Sequence, residues 1–163
     1  MVRVRAYRPA ELPLVLARGV ASARDQLVGR ERPHACGGAL ERQFHEMYRL
    51  VLSVPDSALL VAELAGPPPP GAPDGALAGH VLLLPQGNPF TGAPEVVVMD
   101  IWVHPDLRSR GIGSRLLAEA ERHARQVGAR GLVAQIALHN AASLKLFQRA
   151  GFAPERVVAG KGW

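Results

Sequence analysis

One stretch, residues 95–138, constrains the fold more than any other part of the chain. After Glu95, residues 96–103 are apolar and β-branched almost throughout, interrupted by one acid, Asp100. Such a run reads as a strand buried on both faces. Pro105, Gly111 and Gly113 break the pattern. Ile112, Leu116, Leu117, Ala120, Ala124 and Val127 then recur at helical spacing as far as Gly128. Residues 131–138 form a second, mostly apolar run. Two buried strands joined by an amphipathic helix predict a parallel βαβ unit, because parallel strands need a crossover connection.

The rest of the chain adds elements on either side. Residues 2–7 alternate like a strand. Leu12, Val15, Leu16, Val20 and Leu27 mark a helix over 9–28, and Leu40, Phe44, Met47, Tyr48 and Val51 a second over 39–52. The polar segment 29–38 joins them. Strands are expected over 58–64 and 76–84, separated by a loop (65–75) with four consecutive prolines. That loop cannot pair in a sheet and reads as a stiff surface connection rather than an SH3-type ligand. A loop is expected over 86–94. Asn140 is placed to cap a last helix, which Gly151 ends, and 156–158 are expected to begin a final strand. The 163 residues show no repeat and no composition break, so one mixed α/β domain over 1–163 is expected.

Several function classes find no support. The net charge of +5 raises the question of nucleic acid, but the basic residues are scattered and not interleaved with aromatics. No apolar run approaches the roughly 20 residues that span a bilayer. The start of the chain has no apolar leader, and Cys36 is the single cysteine, so a cytoplasmic location without an internal disulfide is expected. The histidines lack paired ligand spacing, and no metal site is expected.

The chemistry concentrates at the strand-to-helix turn. Arg108, Ser109, Arg110, Gly111, Ile112, Gly113 and Ser114 stand where a helix begins. The first N–H groups of a helix have no internal partner and point outward with the positive end of the helix dipole, which suits phosphate oxygens. Arginines add charge-assisted bonds. Leu116 stands where a dinucleotide fingerprint would need a third glycine, and a Gly-Lys-Ser/Thr phosphate loop is absent.

This turn resembles the central motif of the GNAT superfamily of N-acetyltransferases, Arg/Gln-x-x-Gly-x-Gly/Ala, through Arg108, Gly111 and Gly113. Val103-His104-Pro105 is similar to the family's strand exit. Asn140, Ser143, Leu146, Phe147, Arg149, Gly151 and Phe152 resemble a second family pattern, Asn-x-x-Ala-x-x-Leu-Tyr-x-Lys-x-Gly-Phe. The resemblance covers about residues 96–152. It implies a mostly antiparallel sheet with one splayed parallel pair, flanked by helices, and acetyl-CoA as acyl donor. It further implies that Ile101, Trp102 and Val103 offer backbone to the pantetheine arm. Residues 108–114 would hold the pyrophosphate, and Asn140, Ser143 and Phe147 would lie along the arm near the sulfur. The implied reaction is direct attack of a primary amine on the thioester.

Asp100 is the expected catalytic base, with burial expected to raise its pKa; the structural alternative is a carboxylate paired with backbone or an arginine. His104 and His139 border the two motifs, and His34 and His45 lie in the N-terminal part; all four are read first as structural. Cys36 lacks an activating base. Gly113 is expected to face the ligand. Two departures matter. Phe147 replaces the tyrosine that protonates sulfur in many members, and the chain ends at Trp163, so the last family strand is expected to be short or missing. They motivate a second reading, an acyl-CoA-binding regulatory or sensor module. The acceptor, a small molecule or a peptide amine, is unspecified and should be shaped by the two N-terminal helices. A homodimer is the base-rate expectation for oligomeric state.

Overall fold

Strand periodicity and helix amphipathicity together sort the apolar residues onto two faces of one sheet. In the computed structural model, which describes residues 2–65 and 77–162, that sheet has five strands in the order β1-β2-β3-β4-β5. Along the chain the elements are β1 (Val2–Ala6), α1 (Leu12–Gln26), α2 (Ala39–Ser53), β2 (Ala58–Leu64), β3 (Leu77–Gly87), β4 (Pro94–Val103), α3 (Ile112–Gln126), β5 (Gly131–Ala134) and α4 (Ala141–Arg149). The first three strand pairings are antiparallel, and β4 pairs with β5 in parallel. The expected βαβ unit is therefore β4-α3-β5.

One face of the sheet carries α3 and α4. Ala62, Val81, Leu83, Val96 and Val98 pack there against Ile112, Leu116, Leu117, Ala120 and Phe147. The other face carries α1 and α2, where Leu59, Val61 and Leu82 meet Val15, Val20, Phe44, Tyr48 and Val51. Successive strand residues alternate between the two faces.

A bulge breaks that alternation where it matters. Leu83 pairs with Val98 and Leu82 with Asp100, so Met99 is an extra residue in β4. Val96 and Val98 belong to the α3 face, whereas Met99 packs on the α1/α2 face. Asp100 then points to the α1/α2 face as well, where it bonds Tyr48 of α2. Beyond the bulge Ile101 and Val103 return to the α3 face. Without the extra residue, every side chain after Met99 would point to the opposite face.

The β4–β5 pairing runs only from Glu95↔Gly131 to Val98↔Ala134. Beyond it β4 continues to Val103 with no strand on that side among the described residues, and the sheet is splayed there.

Four boundaries differ from those read in the sequence. The expected strand over 131–138 ends at Ala134, because its neighbour diverges and the ladder stops. No strand forms at 156–158; residues 152–162 are irregular, with Val157 and Val158 exposed. The first helix begins at Leu12, after a 3₁₀ turn over Pro9–Glu11, and ends at Gln26. Strand β3 runs to Gly87, and the loop shrinks because Asn88 Oδ1 accepts from the backbone N–H groups of Phe90 and Thr91, turning the chain tightly. The proline run lies outside the described residues.

Candidate active site

The turn between β4 and α3 is shaped by two left-handed residues, Ser109 (φ 62°) and Gly111 (φ 77°). Leu107 anchors it in the core. His104 Nδ1 accepts from the Asp106 backbone N–H at 3.3 Å, which makes this histidine a cap on the turn. Past this point the backbone N–H groups of residues 109–114 find no acceptor among the described residues. A Cβ placed at Gly111 would meet nothing within 4 Å, so the turn is open at that residue. Arg110 and Ser114 are exposed, and Arg108 is too, with its Nε donating to the Val103 carbonyl at 3.3 Å. A run of unpaired N–H groups at a helix start, flanked by arginines, fits a pyrophosphate.

Two residues of that turn face elsewhere. The Ile112 side chain is in the core, leaving only its backbone to a ligand. Gly113 is buried, and a Cβ there would come within 2.9 Å of Leu146 on α4. Its lack of a side chain lets α3 and α4 approach, so the expectation that this position faces the ligand is corrected. Of the second motif, Asn140 caps α4, its Oδ1 accepting from the Ser143 N–H at 3.1 Å, while its Nδ2 donates to Gln26 Oε1 at 2.6 Å. Ser143 is half-buried. Phe147 is 3% exposed in the α3-side core, edge-on to Phe152. His139 Nε2 contacts the Asp25 carbonyl at 2.8 Å, so the end of α1 is tied to the β5–α4 connection twice.

Asp100 is the centre of the other half of the site. Its Oδ2 accepts from the Tyr48 hydroxyl at 2.6 Å and lies 2.9 Å from His80 Nε2. Burial pushes the carboxyl up, but the hydrogen bond and charge of His80, then the Tyr48 hydroxyl and the Ile101 backbone, outweigh it and hold the group below the usual aspartate value. The expected upward shift is thereby corrected. An ionised carboxylate only accepts, so His80 Nε2 carries the proton it shares with Oδ2. Burial and the adjacent Asp100 charge raise Tyr48 well above a normal phenol, which keeps its hydroxyl a donor. Both side-chain bonds fall on Oδ2, and the Asp100 side chain keeps 13% exposure. Its Oδ1 has no side-chain partner among the described residues.

The sequence reading did not include His80 or Tyr48 in the site. His80 is 1% exposed and stacks on Trp102, with ring centroids 5.8 Å apart. The available signal was the one that singled out Asp100, a titratable residue inside an apolar strand. Pairing the two needed the β3–β4 register, which the bulge sets. His34, Cys36 and His45 are exposed and away from this cluster, and no metal-binding group occurs among the described residues.

Residues 32–152 match the acetyltransferase (GNAT) family. The chain is 43% identical over 78 residues to the putative phosphinothricin acetyltransferase YwnH of Bacillus subtilis (strain 168), covering 46% of this chain and 48% of that one. It is 40% identical over 89 residues to the L-amino acid N-acyltransferase MnaT of Escherichia coli (strain K12), covering 47% of this chain and 52% of that one. It thus spans about half the length of each. Its fold is that of a putative acetyl transferase from Pyrococcus furiosus, with a TM-score of 0.77, 19% identity and full coverage of both chains. No helix among the described residues is long and apolar enough to cross a membrane. The family match spans most of the sequence and includes both motifs, and the chain belongs to the acetyltransferase (GNAT) family.

Proposed function

We propose that this protein transfers an acetyl group from acetyl-CoA to a primary amine by direct attack. The observation that carries the reading is the run of unpaired backbone N–H groups at residues 109–114, beside a strand that parts from its parallel neighbour after Val98. Residues 108–114 hold the pyrophosphate, and the free edge of β4 at Ile101 and Val103 pairs with the pantetheine arm as an added strand would, the backbone of Trp102 being turned to β3. A backbone N–H of that edge polarises the thioester carbonyl. Asn140 and Ser143 bound the far side of the gap. Phe147 packs beneath it.

The amine nitrogen bonds the thioester carbon, and the C–S bond breaks. Asp100 accepts the amine's proton through Oδ1, directly or by way of a water, while His80 and Tyr48 fix Oδ2. Phe147 has no proton to give, so CoA departs as thiolate, tolerable for a thiol with a pKa near 8.5. The test is a screen of amines, amino acids, peptides and aminoglycosides with acetyl-CoA, reading the CoA thiol released. Release that depends on one class of amine supports the reading. Tight acetyl-CoA binding with no release for any amine would replace it with the sensor reading, which the absence of a hydroxyl at Phe147 favours.

A further inference from the structure

Arg18 on α1 has no role in the scheme above, yet it lies beside it. It is half-buried, and its Nη1 donates to the Leu77 carbonyl at 2.9 Å. Its guanidinium carbon sits 5.0 Å from the centre of the Trp102 ring. Desolvation draws its pKa down, and no neighbouring carboxylate raises it. Among the described residues it joins no ion pair. The other arginine that lies largely inside the fold behaves differently. Arg5 is bound to both Glu11 and Glu63. A cation drawn partly out of water ordinarily has an anion beside it.

Geometry places that missing anion next to the reacting groups. Trp102 and Asp100 lie two residues apart on the same face of β4, roughly 7 Å along the strand. Gly19, the neighbour of Arg18, presses so closely on this cluster that a Cβ there would stand 3.0 Å from Asp100 Oδ2. The guanidinium, over Trp102, and the Asp100 carboxylate thus lie on the same face of the sheet, both against α1. A short molecule with an amine at Asp100 and an anion at Arg18 fits the spacing, allowing about 3 Å for each hydrogen bond. The CoA pyrophosphate is a poorer match. Helix α3 packs with Ile101 and Val103 on the other face of the sheet.

We propose that Arg18 binds a carboxylate of the acceptor, and that the acceptors are small amino acids carrying a free carboxylate near the amine. The proposal rests on the acetyltransferase reading. Main-chain support from Leu77 and stacking on Trp102 hold the planar fork in place. One of its five N–H donors is occupied by Leu77, and the remainder can take a carboxylate in the two-point manner open to arginine.

The test compares L-phenylalanine, L-leucine and L-methionine with phenethylamine, isoamylamine and 3-(methylthio)propylamine, which lack only the carboxylate. Each is titrated calorimetrically into the protein saturated with CoA, a complex that cannot turn over, and each is assayed with acetyl-CoA. Wild-type protein should bind at least one amino acid about tenfold or more tightly than its matched amine. Arg18→Gln should abolish that difference and raise KM for the amino acid, leaving the matched amine and the acetyl-CoA KM unchanged. Arg18→Lys, which keeps charge without the fork, should retain part of it. Equal weakening of amino acid and amine by both variants, or a wild type with no preference, overturns the proposal. A raised acetyl-CoA KM with acceptor binding intact overturns it in favour of a donor-phosphate contact. Carboxylate-dependent binding lost in Arg18→Gln, without turnover of any acceptor, upholds the subsite and removes the transferase reading instead.

Discussion

At the scale of single residues, the site turns on how Asp100 is held. A carboxylate kept below its ordinary pKa is ionised throughout the neutral range, so it is always available as an acceptor but has little thermodynamic pull on a proton. Asp100→Asn should therefore lower kcat at the modest end of base effects, about a hundredfold, with acetyl-CoA affinity unchanged. Asparagine can still accept from Tyr48 and His80 through its one oxygen, so the fold should survive. Unchanged turnover on a good acceptor would assign Asp100 to structure. The same depressed pKa also predicts a stability effect with a definite sign. The Tyr48 hydroxyl stabilises the ionised form, so its contribution is present above the unfolded aspartate value, near 3.9, and is lost as pH falls through the native value. Tyr48→Phe should cost about 1–3 kcal/mol at pH 7 and progressively less as pH falls through the native Asp100 value, measured by denaturant unfolding. A penalty that does not shrink in acid would mean that packing, not the bond to Asp100, is what the hydroxyl provides.

At the scale of elements, α3 and α4 meet through Gly113 and Leu146. The two Leu146 methyls would lie 2.9 and 3.0 Å from a Cβ at position 113. Gly113→Ala should destabilise by about 1–2 kcal/mol through overpacking, despite the better helix propensity of alanine. Leu146→Ala opens that space, so the two substitutions should compensate one another in a double-mutant cycle. Strict additivity would remove the contact as the reason for the glycine. Position 111 is the better probe of the phosphate cradle. Its side chain would enter open space, though a non-glycine residue there costs about 1–2 kcal/mol for the left-handed backbone. Gly111→Glu should abolish acetyl-CoA binding in a protein that still folds. Calorimetry showing unchanged affinity would sink the cradle.

The same elements show what a sequence can and cannot disclose. Helix α3, the strand Ala58–Leu64 and the Asn140 cap were legible because each is set by local spacing or by one capping side chain. The end of β5 was not, because it depends on where β4 leaves it. His80 was missed for the same reason. Its bond to Asp100 depends on strand register, and a single extra residue, Met99, decides which side chains share a face. Gly113 was read as facing the ligand, whereas its missing Cβ faces Leu146, 33 positions along the chain on a different helix.

At the scale of the whole molecule, the proposed donor site draws on three parts of the fold. They are the free edge of β4, the turn into α3, and the start of α4, which is itself tied to the end of α1 through Asn140 and Gln26. A ligand bridging these pieces stabilises the native state by mass action. At about a hundred times its Kd, acetyl-CoA should add about 2.7 kcal/mol. For a domain of this size that corresponds to a rise in Tm of roughly 5–10 °C. The gain should be local in hydrogen exchange. The amides of residues 109–114 and of Val103, on the free edge of β4, should slow on binding, because the ligand takes the place of water there, whereas those of β1 and β2 should change only as far as global stability does. The protein's net charge of +5 should speed association with a polyanion, and that advantage should fall as salt screens it. A thermal shift with protection confined to the α1–α2 connection, and none at residues 109–114, would place the ligand elsewhere and undo the assignment of the cradle.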